Sequence, residues 1–326
     1  MPKRFSTKNL EVVQEPTPDE PGIGIFEFTD DYSVFHYGKM PDRIPGKGEA
    51  ICRMAVANFE LLEENGIETH FRRYLPPNRI EFTLVRALDP ADEPIALGTA
   101  NYMIPLQVVY RNTLPPGASV FRRLEAGTVT LEELGLDAKP EPGDALETPL
   151  VEFTTKREEI DRFVTPDEAL EIAGLRPEEL ERIRETTLRI DALLSERAAA
   201  IGLEQADGKV EYGMLAPGRI VLVDNAGTPD ENRFMLDGFH IGKQVMRDYY
   251  LHQHDLEREV QEWAAAGRPR STWPEPPRLP MGFIVPISNM YKALCEAWTG
   301  ERIWGAPRLE EAVESVQLLS SSAIRW

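Results

Sequence analysis

Gln205-Ala-Asp-Gly-Lys-Val-Glu-Tyr-Gly213 is followed by Met214-Leu-Ala-Pro-Gly218 and then by Arg219-Ile-Val-Leu-Val-Asp224. Two strand-like runs on either side of a Pro-Gly turn predict a β-hairpin. In a strand every second side chain shares a face. Asp207, Lys209 and Glu211 therefore line one side of the first strand. Asp224 closes the second strand after four apolar residues. If the register turns Asp224 to the same side, it forms with Glu211 a two-carboxylate oxygen site. Mg²⁺ suits such a site, because it takes one or two carboxylates and completes its octahedron with water and phosphate oxygens. Lys209, between them, could steady a phosphate. An exposed hairpin face laced with salt bridges would show the same spacing, so the pattern alone leaves both readings open.

The rest of the chain must supply a fold around this hairpin. Its 326 residues are 42% apolar and 28% charged, enough to bury a proper core in one large domain or two ordinary ones. Upstream, residues 1–22 are polar and rich in Pro and Glu, and Gly22–Phe28 alternates as a strand does. Residues 30–48 read as a long irregular stretch punctuated by Gly38, Pro41, Pro45, Gly46 and Gly48. Ile51, Ala55, Phe59 and Leu62 recur at helical spacing, with Gly66 as the stop. Glu68–Tyr74 and Arg79–Arg86 read as strands joined at Pro76-Pro77, and Met103–Asn112 as a buried strand. Residues 113–148 hold many Gly and Pro and one short helical piece. Thr165-Pro-Asp-Glu168 fits a capping box. From Pro177 a helix presents the stripe Leu180, Ile183, Thr187, Ile190, Leu194, Ala198 and Ile201. One further helix is expected from about Gly242 to Ala266, then a Pro-rich segment at 267–281 and a final helical section that includes Tyr291–Gly300.

Charge and cysteine content exclude several classes of function. There are 55 Asp+Glu against 36 Lys+Arg, a formal charge of −19, which speaks against bulk nucleic-acid binding. A pocket inside an acidic shell can still gather a few cations for an anionic substrate. No apolar run is long enough to span a membrane, and the basic N-terminus lacks the apolar stretch of a secretory signal, so a cytoplasmic protein with no membrane partner is expected. Cys52 and Cys295 are too few for a disulfide framework or a four-thiolate zinc site.

Other chemistry-bearing residues cluster around the same theme. Arg111 ends the buried strand and is followed by Gly117-Ala-Ser119 and Arg122-Arg123. An arginine fork with a neutral hydroxyl donor can form an anion pocket. Gly46-Lys47-Gly48 fails as a phosphate loop: Pro41 stands where its first Gly belongs and Gly48 where Ser or Thr belongs. His252 and His254, two apart, fall on different faces of a helix.

Taken in order, these segments resemble the SAICAR synthetase (phosphoribosylaminoimidazole-succinocarboxamide synthase) family. The matching stretches begin with Thr29-Asp-Asp-Tyr-Ser-Val-Phe-His36, where the family commonly has T-D-R-x-S-A-F-D. Ile44-Pro-Gly-Lys-Gly48 follows, with Asn58-Phe59 and Gly66-Ile-Glu-Thr-His-Phe71. Next come Ile104-Pro-Leu-Gln-Val-Val-Tyr-Arg-Asn112 with Gly117 and Ser119, and Pro149-Leu-Val-Glu-Phe-Thr-Thr-Lys156. The hairpin follows, then Thr228-Pro-Asp230 and Arg233, and a tail with Pro277-Arg-Leu-Pro280 and Thr299-Gly300.

The resemblance implies an α+β fold of two lobes with the active site in the cleft between them. An N-terminal ATP-binding lobe with an antiparallel sheet would span 1–108, and a larger substrate- and metal-binding lobe 109–326. It implies an ATP-dependent ligase that phosphorylates carboxyaminoimidazole ribonucleotide (CAIR) on its carboxylate. L-aspartate then displaces phosphate from the acyl phosphate to give SAICAR. Phosphoryl transfer needs positioning and charge neutralisation rather than a protein nucleophile. Glu211 and Asp224 would hold Mg²⁺ against ATP. Arg111, Ser119, Lys209 and Arg233 would hold the ribonucleotide phosphate. Asp207 would contact the nucleotide substrate and share the catalytic position with Lys209. Ser33, His36 and Lys47 would shape the substrate and aspartate end, and Met103 and Lys39 would take the ATP side. Family members are often oligomeric, so a homo-oligomer is admissible.

Departures from the family pattern leave two alternatives. The Gly-Lys-x-Lys strand over the ATP phosphates is missing where Lys8-Asn-Leu-Glu-Val-Val-Gln-Glu15 stands, so the clamp would be rebuilt from Lys39 or Arg43, or weakened. His36 replaces the usual Asp or Asn, and Asn225 a frequent Glu. A paralogous amide-forming ligase on a related nucleotide, or a nucleotide-binding homologue without catalysis, would carry such changes.

Overall fold

The computed structural model describes residues 3–34, 37–115, 117–158 and 161–323, the side chains of 252–253 and 321–323 excepted. The first stretch of chain builds an antiparallel sheet. It begins with β1 (Lys3–Arg4), β2 (Lys8–Gln14) and β3 (Gly22–Phe28). Residues 1–22 thus hold two strands that their polarity concealed. In β2 only Leu10 is fully buried, so its inward side is short. The segment 30–48, expected to be irregular, instead folds into a hairpin of β4 (Asp31–Val34) and β5 (Gly38–Arg43), with Ser33 opposite Lys39. His36 lies outside the described residues. Helix α1 (Lys47–Glu64) buries Ile51, Met54, Ala55, Phe59 and Leu62, the i, i+3, i+4 stripe of a core-facing helix. Strands β6 (Phe71–Leu75) and β7 (Arg79–Leu84) complete the sheet in the order β1-β2-β3-β7-β6.

The second sheet is larger and is centred on β8 (Tyr102–Thr113). After the short α2 (Ser119–Glu125) come β9 (Ala145–Thr155) and β10 (Phe163–Val164). Thr165 caps α3 (Pro166–Ala173) with both arms of the expected capping box. The predicted stripe of α4 (Pro177–Ala199) is buried from Leu180 to Ala198. The hairpin forms as β11 (Glu204–Ala216) and β12 (Arg219–Val223), followed by β13 (Arg233–Leu236) and β14 (Phe239–Ile241). The sheet runs β10-β9-β8-β11-β13-β14, with β12 on the remaining edge of β11. The lobe division expected at residue 108 falls inside β8, which pairs along its length with β9 and β11.

The helix expected over 242–266 is two helices, α5 (Lys243–His254) and α6 (Leu256–Ala265), broken at Asp255 with φ +50°. Beyond them, α7 (Met281–Thr299) and α8 (Leu309–Ala323) pack together. The Pro-rich segment between α6 and α7 straps the β4–β5 hairpin: the Leu279 N–H donates to Asp42 at 2.7 Å, and Tyr250 Oη donates to the Pro277 carbonyl at 2.7 Å. One continuous core runs from Leu10 to Val316, and a smaller one gathers Leu114, Val120, Val129 and Leu134. The stretch before β6 joins β12 directly. The His70 N–H donates to the Leu222 carbonyl, and the Leu222 N–H to the Glu68 carbonyl, each at 2.9 Å. Among the described residues no helix is long and apolar enough to cross a membrane.

Candidate active site

The register fixes which side chains share the face of β11. Arg111, Asp207 and Arg233 stand directly opposite one another on β8, β11 and β13. Two residues along, Lys209 faces Val109, which faces Glu152. Two further, Glu211 lies between Gln107 and Val223. Opposed residues of an antiparallel pair point the same way, so one sheet face carries all these charges. Asp207 and Glu211 are buried, at 5% and 3% exposure, which excludes a solvated salt-bridge face. Gly208 between Asp207 and Lys209 admits the cross-link behind them. A Cβ there would meet Tyr110 Oη at 2.4 Å and Asn232 Nδ2 at 2.5 Å. Asn232 donates to Tyr110 Oη at 2.6 Å and to Gln205 Oε1 at 2.7 Å, locking the loop before β13 to both strands.

One end of the face is a carboxylate group set among lysines. Lys156, just past β9, pairs with Glu211, and Lys8 of β2 pairs with Asp224. Lys209 pairs with Glu231 at 3.0 Å. Burial alone would raise the pKa of Asp224, yet Lys8, Lys156 and Lys209 hold it down to about 2. Lys156 thus lies beside both Glu211 and Asp224. Glu211 Oε2 is buried without a hydrogen-bond partner. Asp224 sits at φ +65°, in the left-handed region. Its carbonyl lies 3.1 Å from Nε2 of the buried His70, whose pKa is lowered by burial to about 4. Among the described residues no three His, Cys, Asp or Glu side chains converge as a metal cage. Two carboxylates, one of them with an unpartnered buried oxygen, are the donor set of a cation that brings its own water and phosphate ligands, and Mg²⁺ fits it.

The other end is a fork of arginines. Arg111 donates to Asp207 Oδ2 at 3.0 Å and to Ser119 Oγ at 3.1 Å, and Arg233 donates through Nε to Asp207 Oδ1 at 2.8 Å. Arg123 pairs with Glu152 at 2.5 Å behind them. α5 adds Lys243 and Arg247, neither singled out from the sequence. Arg247 Nε is buried without a partner. Lys243 is brought down to about 8 by burial and by Arg247, against the pull of Asp230 and Glu231. Burial and Arg233 also lower His240, whose Nδ1 lacks a partner. An unpartnered buried guanidinium N–H beside a second buried cation is an arrangement that a bound anion would relieve.

The remaining expected residues are placed differently. Lys47 is 1% exposed; it donates to Asp230 at 2.5 Å and to the Asp31 carbonyl at 3.2 Å, which ties α1 to the loop before β13. Tyr291 donates to the other oxygen of Asp230 at 3.0 Å. Lys39 and Arg43, expected to rebuild the phosphate clamp, both hold Asp31, at 2.7 and 3.0 Å, with their side chains more than half exposed. The lysines beside the carboxylate pair are Lys8, Lys156 and Lys209. Ser33 remains on the β4–β5 hairpin beside Lys39. Met103 lies on β8 opposite Gly213, past Glu211 on the side away from Arg111.

The SAICAR synthetase family model matches residues 16–263. The chain belongs to the SAICAR synthetase family. A provisionally named phosphoribosylaminoimidazole-succinocarboxamide synthase of Archaeoglobus fulgidus is 37% identical, over 96% of this chain and 98% of that protein. The synthase of Thermoplasma acidophilum is 35% identical, over 85% and 93%. A SAICAR synthetase solved in complex with ADP superposes with a TM-score of 0.60 at 27% identity, covering 85% of this chain and 100% of the other. The Pyrococcus horikoshii SAICAR synthetase gives 0.60 at 25% identity, over 90% and 99%. Lys8 and the chain after 263 lie outside the family model's span, while the alignment with the Archaeoglobus fulgidus protein extends over 96% of the chain.

Proposed function

We propose that the chain works as its family does. It is an ATP-dependent ligase that condenses CAIR with L-aspartate to SAICAR in purine biosynthesis, releasing ADP and phosphate. The observation that carries the reading at residue level is the single β11 face, with an arginine-flanked carboxylate at one end and a lysine-flanked carboxylate pair at the other. A carboxylate is a poor electrophile. Its oxygen attacks the γ-phosphorus, ADP leaves, and the resulting mixed anhydride accepts the aspartate amine. The amine loses a proton as inorganic phosphate departs. Such a sequence asks the protein for alignment and for cations placed where charge moves.

Each group has a place in this scheme. Glu211 and Asp224 would hold Mg²⁺, which when bound neutralises charge on the ATP phosphates. Lys8 and Lys156 reach the same spot and would turn to the phosphates of bound ATP. Arg111, Ser119 and Arg233 would hold the ribonucleotide phosphate, with Asp207 fixing both guanidinium forks. Lys209 stands between the two ends and would bridge the reacting carboxylate. Lys243 and Arg247 would receive a carboxylate of aspartate. Met103 would flank the adenine, and the β4–β5 hairpin with Ser33 would border the aspartate side.

The test is ADP release by purified protein with Mg·ATP, CAIR and L-aspartate, each omitted in turn. Release that requires all three is expected. Sustained release without aspartate, or none with all three, would transfer the site to another acceptor.

A further inference from the structure

We propose that His70 is a positioning residue for the Asp224 carboxylate: its ring N–H holds the Asp224 peptide in the left-handed turn that presents this side chain to Lys8 and Lys156. The inference rests on the reading of Glu211 and Asp224 as the metal-holding pair.

Asp224 has φ +65°, a conformation that costs an L residue on the order of 1 kcal/mol or more and persists where its surroundings impose it. Those surroundings are visible. Leu222, two residues earlier, is bonded through both its N–H and its carbonyl to the stretch Glu68–His70. His70 then reaches one step further and places Nε2 at 3.1 Å from the Asp224 carbonyl. A carbonyl only accepts, so that nitrogen carries the proton. The ring has little freedom to do anything else. It is 2% exposed, with the rings of Phe82, Phe59 and Phe26 at 4.6, 5.6 and 6.4 Å. The sheet that supplies Phe26 and Phe82 also supplies Lys8, whose ammonium lies 4.7 Å from the Phe26 ring centre and pairs with Asp224. The N-terminal sheet thus grips Asp224 twice, by main chain through His70 and by side chain through Lys8. Hydrogen bonds of this indirect kind typically carry 10–100-fold in metal affinity.

The experiment compares wild type, His70→Phe and His70→Gln in the full chain. Phe preserves the aromatic packing and removes the donor; Gln restores an N–H. Mn²⁺ binding in the presence of ADP is followed by electron paramagnetic resonance, and ADP binding without metal by calorimetry. We expect His70→Phe to keep its metal-free ADP affinity within about twofold and to weaken Mn²⁺ binding about tenfold, with His70→Gln recovering most of the loss. Wild-type Mn²⁺ affinity in His70→Phe overturns the inference while leaving the metal site standing. Absence of Mn²⁺ binding in wild type overturns the metal site itself. Should His70→Phe not fold, the wild-type tautomer decides. Nitrogen-15 histidine spectra at neutral pH must show His70 as the Nε2–H form, and the Nδ1–H form would refute the proposal.

Discussion

Asp207 and Glu211 share one strand face about 13 Å apart, and their neighbours are chosen oppositely. Around Asp207 the cations are arginines, each held by its planar fork, with Arg111 also tied to Ser119. Around Glu211 and Asp224 they are lysines brought in from β2 and from the end of β9. A guanidinium fork is pre-organised and directional, whereas an ammonium on a flexible stem can follow a charge that moves. The difference suits a ligand whose phosphate monoester stays fixed at one end while a phosphoryl group changes owner at the other. On the proposed reading, the carboxylates at the second end would keep Lys8 and Lys156 close by until the nucleotide claims them.

Neutralising the carboxylate pair gives the sharpest break of this comparison. Glu211→Gln and Asp224→Asn should each lower turnover by about 10²–10³-fold, the scale of losing a main electrostatic contact to the reacting groups. Thermal unfolding should show both variants folded. Turnover at the wild-type rate in either would remove the distinction between the two ends.

A second test separates lysines that serve chemistry from one that serves the fold. Lys47 was expected near the substrate because Gly46-Lys47-Gly48 matches a family stretch, but it is buried on Asp230. Removing one partner of a buried pair leaves an uncompensated charge. Lys47→Met should therefore cost about 3–5 kcal/mol of stability by denaturant titration. Lys39→Met, on a half-exposed pair with Asp31, should change stability by less than about 1 kcal/mol. A small loss at Lys47 would return it to the list of substrate-facing groups.

What the sequence made legible follows from periodicity. A repeat of two placed Asp207, Lys209 and Glu211 on one face, and the repeat of 3.6 placed the α4 stripe, because both are local. The capping box at Thr165 is local as well. Lys8 was not legible, since its partner Asp224 lies 216 residues away and the strand carrying it sits in a polar, Pro-rich stretch. Lys156 belongs to a stretch that matches the family, but only the pairing of β9 with β8, and of β8 with β11, carries it to Glu211. Lys243 and Arg247 lie in the span read as one helix from about Gly242 to Ala266, whose spacing alone gives them no partner. The alternation of Asn9, Leu10, Glu11 and Val12, at the place where the family has a strand, is the local signal for β2.

The arginine end should respond through substrate affinity. Arg233→Ala removes charge-assisted hydrogen bonds of about 1.5–3 kcal/mol each. It should raise the KM for CAIR by about 10–100-fold with the KM for ATP nearly unchanged. Arg233→Lys should recover only part of the loss, because an ammonium cannot reproduce the fork on Asp207. An equal rise in both KM values would mean that the two ends do not divide the substrates.

The smallest expected effect concerns Lys243, whose ammonium is destabilised by its surroundings. Burial and Arg247 bring its pKa down to about 8, with Asp230 and Glu231 opposing and Lys209 adding to the depression. Below that pH it is charged and can receive a carboxylate of aspartate; above it the ammonium is lost. The kcat/KM for aspartate reports groups of the enzyme before that substrate binds. It should fall about tenfold per pH unit above about 8. Lys243→Arg stays charged throughout and should flatten that limb, at some cost in the plateau value. The profile for CAIR, held at the arginine end, should show no limb removed by the same substitution. A wild-type aspartate profile flat to pH 10, or a limb that survives in Lys243→Arg, would take Lys243 out of the aspartate subsite and leave Arg247 as its only cation from α5.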